Sequence, residues 1–328
     1  MKTMKTLFLA IVLCLGTSMT IQAQQPFMVS TYVRGDMFNK GRISNKNLKV
    51  CNDIIYMCVK AQKDGSLYFE KIPSASGTEK EEWTVVLHKL QSKLKGTNAK
   101  LRICIAGGLV GNEWKEMIAR EKSRSLFCKQ VKALVDDYRL DGVDLDFEWA
   151  ETPVEYDNYS KTILALHQVL GSHTIFSVSL HPVSYKISAE AIAAVSFISL
   201  QCYGPKPIRF SVEQYIKDIQ EVLHYGIPAE KLVAGVPFYG VRKDGSRCPT
   251  AYYDFVEAGL VKDGATNVVK YKGNEYVFDG QDHIRTKTRY ALDHHLKGVM
   301  NWNISTDVAL NNSHSLLRTT VDEINSYK

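Results

Sequence analysis

Asp141-Gly-Val-Asp144-Leu-Asp146-Phe-Glu148 is the stretch on which the reading of this chain turns. Its last three carboxylates stand at alternate positions, with Leu145 and Phe147 between them and Val143 just before. Side chains on a strand change face at every residue. Asp144, Asp146 and Glu148 therefore share one face of an extended segment, and the apolar set takes the other. Alternate residues lie roughly 6–7 Å apart, so the three carboxyls crowd one another. Like charges at that range cannot all ionise freely, and one group is left as an acid near neutral pH. A solvated acidic face would interleave lysines rather than Val, Leu and Phe. A calcium loop would need turn residues and a central glycine. A magnesium or manganese site built on the trio would need further ligands, and neither a histidine nor another acidic cluster is read at the other strand ends. Crowding of this kind points to chemistry.

Working outward, eight β-like runs can be counted, at about 27–33, 53–59, 100–106, 142–148, 174–180, 195–202, 232–238 and 297–303. Most are apolar on both faces, as parallel strands covered by helices are. Amphipathic stretches separate many of them. Three open with capping-box spacing: Thr78 with Glu81, Thr152 with Glu155 (and Pro153 at the first helical position), and Ser211 with Gln214. Residues 34–48 read as mostly loop. The alternation predicts an α/β chain, a single (β/α)₈ TIM barrel. The one insertion read between strands seven and eight is a short hairpin at 268–278 with a Lys272-Gly273-Asn274 turn.

The 328 residues suffice for one large barrel, and 45% hydrophobic with 23% charged content is ordinary for a globular chain. Residues 1–23 read as a signal peptide: Lys2 and Lys5 form a basic start, Leu7 to Leu15 an apolar stretch, and Ile21-Gln22-Ala23 a small-residue cleavage site. That stretch is too short to anchor in a bilayer. Leu13 before Cys14 fits a lipoprotein signal poorly, so the expectation is export to a periplasm or beyond, with residues 24–328 as the catalytic domain. Removing two lysines and no acids takes the formal charge from +6 to +4, and no basic run marks a nucleic-acid surface. The six cysteines left match no zinc spacing, and Cys58, Cys104 and Cys202 sit in apolar runs that favour buried thiols.

Barrel enzymes carry their catalytic groups at the C-terminal ends of the strands. Glu148 ends the fourth strand, Tyr203 the sixth, Tyr239 follows the seventh, and Trp302 lies at the end of the eighth. Flat aromatic faces suit the apolar faces of sugar rings, and acids beside them suit glycoside hydrolysis.

With these residues in view, the chain resembles glycoside hydrolase family 18, the chitinases and endo-β-N-acetylglucosaminidases. The family's fourth-strand signature, Asp-Gly-x-Asp-x-Asp-x-Glu, is complete from Asp141 to Glu148. Leu232-Val-Ala-Gly-Val-Pro-Phe-Tyr-Gly240 and Gly298-Val-Met-Asn-Trp302 match its seventh and eighth strands, and Gly107-Gly108 its third. The serine usual two positions before that glycine pair is replaced by Ile105, and Gln201-Cys-Tyr203-Gly204 departs from the usual Met-x-Tyr-Asp.

The resemblance implies retaining, substrate-assisted hydrolysis of β-1,4 bonds beside N-acetylglucosamine. Glu148 would be the acid and then the base, with Asp146 holding the acetamide. Asp144 would share a proton with Asp146, and Tyr203 would hold the acetyl oxygen. Trp302 would floor the cleaved subsite, with Tyr239, Tyr32, Tyr56, Gln201 and Trp149 as further substrate contacts. Asp141 would be structural, and Trp83 and Trp114 packing or rim residues. Neither a metal nor an organic cofactor is implied. The expected partner is an N-acetylglucosamine polysaccharide or glycan, with chitin favoured over the chitobiose core of N-glycans and peptidoglycan behind both. A lectin-like binder on the same barrel is the reading from another class; such proteins commonly lack the acid that Glu148 supplies here.

Overall fold

The computed structural model of the chain describes residues 26–105, 112–246 and 248–327, without the Cys58 side chain. The expected leader and the Gly107-Gly108 pair lie outside the described residues. Eight strands form the barrel: β1 (Met28–Arg34), β2 (Asp53–Ala61), β3 (Lys100–Ile105), β4 (Gly142–Leu145), β5 (Ile175–Leu180), β6 (Phe197–Leu200), β7 (Leu232–Pro237) and β8 (Gly298–Trp302). Each pairs in parallel with its sequence neighbours, and β8 pairs with β1 to close the ring. Helices surround it, as a (β/α)₈ fold requires.

The two-residue period of the acid string is what docks β4. Val143, Leu145 and Phe147 join the core between strands and helices. Phe147 stacks on Trp114 at 5.0 Å and packs against Phe127 and Tyr159. The outward face of the string is thus gripped by three helices, Glu113–Ala119, Glu121–Asp137 and Pro153–Leu170. Asp141 holds the start of β4 to β3: one carboxylate oxygen accepts from Leu101 N at 2.9 Å and the other pairs with Lys100 at 2.9 Å. Gly142 has a steric reason to be glycine, since a Cβ there would lie 1.9 Å from the Ile175 carbonyl oxygen of β5. The helix after the string starts as expected, with a reciprocal capping box between Thr152 and Glu155 and Pro153 in its first turn.

Elsewhere local signals were overridden. Thr78 and Glu81 open no helix. They belong to a hairpin, Ile72–Pro73 against Lys80–Glu81, whose turn places Gly77 at φ +75°, and the helix begins only at Trp83. Thr78 spends its hydroxyl on Ser76 rather than on a helix N–H. Residues 34–48 are not mainly loop either: they carry helix Gly35–Asn39 and enter helix Asn45–Val50, which Ser44 caps by accepting from Asn47 N. The hairpin Val268–Tyr271 and Asn274–Phe278 forms, turning through positive φ at Lys272 and Gly273. It joins strands Tyr239–Arg242 and Thr250–Ala251 in a four-stranded antiparallel sheet, so sequence reading found two of the four strands.

Gly142→Ala is expected to destabilise the chain by about 1–3 kcal/mol or more, because backbone rather than a flexible side chain must move. Urea unfolding measures it; an unchanged midpoint would show that β4 and β5 are not packed as described.

Candidate active site

The residues that face into the barrel follow from strand parity. Tyr32, Ile55, Cys104, Phe197, Tyr203, Val233 and Met300 form an inner apolar cluster, with Tyr239 and Trp302 packed above it. Asp144, Asp146 and Glu148 rise through this interior on the fourth strand and its extension, where Asp146 N still bonds Ile105 O at 3.1 Å.

Asp144 is fully buried. Its Oδ2 accepts from the Tyr32 hydroxyl at 2.8 Å, its Oδ1 accepts from Ser177, and Arg102 Nη1 lies 3.8 Å away. Burial pushes its carboxyl above the ordinary value, while Arg102, Ser177 and Tyr32 pull the other way. Asp146 is held well above the usual carboxylate range, first by burial, then by the charges of Glu148 and Asp144. The Gln201 amide opposes this: its Nε2 donates to Asp146 Oδ1 at 2.8 Å and to Glu148 Oε1 at 3.0 Å. One side-chain amide thus draws two carboxyls together at the mouth.

Tyr203 crosses the same space, its hydroxyl on Met300 Sδ at 3.6 Å and its ring edge-on to Tyr239 at 6.3 Å. Burial, and then Asp146, hold its phenol well above its ordinary value, so it remains a donor. Gly235 on β7 makes room for it, since a Cβ there would meet the Tyr203 ring at 2.7 Å. Tyr239 is half-buried and donates to Gly204 O at 3.2 Å. Trp302, also half-buried, ends β8 with its ring centroid 5.3 Å from that of Tyr32.

Two expected substrate contacts lie elsewhere. Tyr56 is fully buried on the outward face of β2, its hydroxyl on the Trp83 carbonyl, and so cannot wall a subsite. Its parity on β2 is that of the helix-facing residues. Tyr32 is 1% exposed and sits beneath Trp302 as a donor to Asp144, so it orients an acid and offers no face to a sugar. Gln201 is at the site, though its amide N–H₂ is engaged by the carboxyls. Trp149 is half-buried against His181 at 4.8 Å, and its indole N–H has no hydrogen-bond partner among the described residues. Trp114 and Trp83 are packing residues, 2% and 7% exposed.

Sequence reasoning overlooked several groups here. His181 directly follows β5, so a histidine does stand at a strand end. Both ring nitrogens are engaged: Nδ1 accepts from Val183 N at 3.2 Å, leaving Nε2 to donate to Tyr203 O at 3.1 Å. Burial, with Arg209 adding, lowers its pKa to about 4, so the ring is neutral and clamps the Tyr203 backbone. Ile105 points to the helices, and the inward residue level with Asp144 on β3 is Cys104. Arg102, Ser177 and Ser179 were legible as polar residues at inward parity in otherwise apolar strands. Among the described residues no cluster of three or more His, Cys, Asp or Glu is arranged to hold a metal ion, and no helix is long and apolar enough to cross a membrane.

Known proteins share this architecture. A class V chitinase from Nicotiana tobaccum, solved in complex with NAG4, superposes with a TM-score of 0.68 at 16% identity, over 91% of this chain and 99% of that one. A chitinase from the chitin utilization locus of Flavobacterium johnsoniae gives 0.75 at 23% identity, over 92% and 94%. In sequence, the chain is 23% identical over 309 residues to a probable chitinase 2 of Drosophila melanogaster, covering 71% of this chain but only 62% of that protein's length. The profile of Glycosyl hydrolases family 18 matches residues 29–307. The chain belongs to glycosyl hydrolases family 18.

Proposed function

We propose that the chain is a retaining glycosidase that cuts β-1,4 bonds beside N-acetylglucosamine, most directly within chitin or chito-oligosaccharides. The observation that carries this reading is the Gln201 amide bridging Asp146 and Glu148 at the mouth of the barrel, next to Tyr203. Two carboxyls held that close cannot flank a sugar from opposite sides with a water between, which disfavours inversion. They suit one acid and one group that steadies a cation on the same side.

In this reading Glu148 gives its proton to the glycosidic oxygen as the bond to C1 breaks. The carbonyl oxygen of the substrate's own acetamide closes on C1, and Asp146 accepts the acetamide N–H while stabilising the oxazolinium ring. Tyr203 donates to the acetyl group and holds it for attack, which removes an orientational cost from the step. Glu148, now a carboxylate, takes a proton from water. The water adds to C1, the ring opens, and the configuration at C1 is retained. Trp302 supplies the floor for the cleaved sugar, and Tyr239 and Trp149 extend the apolar surface. Export through the leader at residues 1–23 belongs to the same proposal, because polymeric chitin cannot enter a cell.

Glu148→Gln should lower turnover of chitopentaose by about 10²–10⁴-fold while leaving binding of the oligomer measurable by calorimetry. Full activity in that variant would assign the acid elsewhere. Substrate assistance has its own test. A fully deacetylated pentamer lacks the nucleophile and should not be cleaved; cleavage at a comparable rate would require a nucleophile from the protein.

A further inference from the structure

Below the acid string the barrel interior holds a charge that the hydrolytic scheme does not use. Arg102 on β3 is wholly buried. Its Nε and Nη2 donate to the two oxygens of Asp53 at 2.7 and 2.6 Å, and its Nη1 donates to the Ser177 hydroxyl. The guanidinium lies 4.7 Å over the Phe197 ring. A guanidinium can only donate. Ser177 must therefore accept from it, which leaves the single hydroxyl proton of Ser177 for Asp144 Oδ1. With Tyr32 donating to Oδ2, both oxygens of Asp144 receive donors, and a positive charge stands 3.8 Å away.

The groups around Asp144 come from the first five strands of the barrel and one helix. They are Tyr32 from β1, Asp53 from β2, Arg102 and Cys104 from β3, Asp146 further along its own segment, and Ser177 from β5. Tyr159 faces it from the outer helix. Arg102 is the one cation among them. Asp146 has a different setting, with the Gln201 amide as its donor and the charges of Glu148 and Asp144 beside it.

We propose that Arg102 is a positioning residue that acts through Asp144: it holds Asp144 as the anion and so places the proton of the Asp144–Asp146 pair on Asp146 in the unliganded protein. The electrostatics run the same way. Burial raises both acids, but Arg102 counteracts the rise at Asp144, whereas two neighbouring anions add to it at Asp146. With the proton on Asp146, the two carboxyls that share the Gln201 amide do not face each other as two anions. The proposal deepens the hydrolase reading, on which its catalytic consequence rests, but the position of the proton can be measured without substrate.

The test is a pH titration of carboxyl-¹³C aspartate-labelled protein by NMR, with the signals assigned through Asp144→Asn and Asp146→Asn. In the wild-type chain Asp144 should lose its proton at lower pH than Asp146. In Arg102→Met/Asp53→Asn, which removes both buried charges together, the loss of Arg102 outweighs the opposing loss of Asp53, so the Asp144 midpoint should rise by about 1 pH unit and that of Asp146 should fall. Arg102→Lys keeps the charge and should keep the wild-type order, which a purely space-filling role would not require. The proposal is overturned if wild-type Asp144 holds the proton, if the neutral pair leaves both midpoints in place, or if Arg102→Lys shifts them as far as the neutral pair does. Should the neutral pair fail to fold, the wild-type order and the Arg102→Lys titration decide. The predicted order in a protein inactive on every N-acetylglucosamine oligomer would sink the hydrolase reading and leave this one standing.

Discussion

Arg102 and Asp53, a bidentate ion pair sealed inside the barrel, are what the rest of this structure is built around. Two charges out of water persist only where geometry and further hydrogen bonds offset their desolvation, and removing one partner of such a pair typically costs about 3–5 kcal/mol. Here the partners are supplied by four further strands. Ser30 donates to Asp53, Ser177 receives from Arg102, Asp144 closes the chain, and Phe197 covers the guanidinium. The strands of a parallel barrel are interchangeable to the hydrophobic effect, which is non-directional. A hydrogen-bonded ion cluster is not, because it accepts only the register that brings these side chains level. The pairings Cys104 with Asp144 and Asp144 with Ser177 are that register.

The acid string serves the fold and the chemistry at once. Its outward residues, ending in Phe147 under Trp114, anchor the segment to the helices. Its inward residues form a gradient of setting. Asp144 is surrounded by donors and a cation, Asp146 by one amide and two anions, and Glu148 is half-buried at the opening. Three carboxyls on one strand face are thereby made chemically distinct by the partners that each meets. Around them Tyr203 is held from both sides, its carbonyl by His181 and its ring by the missing side chain of Gly235.

Much of this was legible in the sequence, for a physical reason. Period-two alternation and strand-terminal position are local properties, so the eight strands, the faces of Asp144, Asp146 and Glu148, and the placement of Tyr203, Tyr239 and Trp302 at one rim could be read directly. Tyr56 was misplaced because its strand is apolar on both faces, which hides parity; the inward set on β2 becomes visible only through Asp53 and its partner Arg102. Thr78 and Glu81 misled because a capping pattern is a weak local preference, and cross-strand pairing around Gly77 outweighed it. The Gln201 bridge and the clamp at His181 depend on side chains more than twenty residues from their partners, and no local pattern encodes such meetings.

The most direct measurement is mass spectrometry of the products formed by the protein from chitopentaose and, in parallel, from a high-mannose glycoprotein. The account predicts short chito-oligosaccharides from the first substrate and an unaltered glycoprotein. Glycan released with one N-acetylglucosamine left on the protein, and chitopentaose untouched, would contradict the chitin assignment while keeping the acid. No product from either substrate, with the barrel folded and the oligomer bound, would contradict hydrolysis itself.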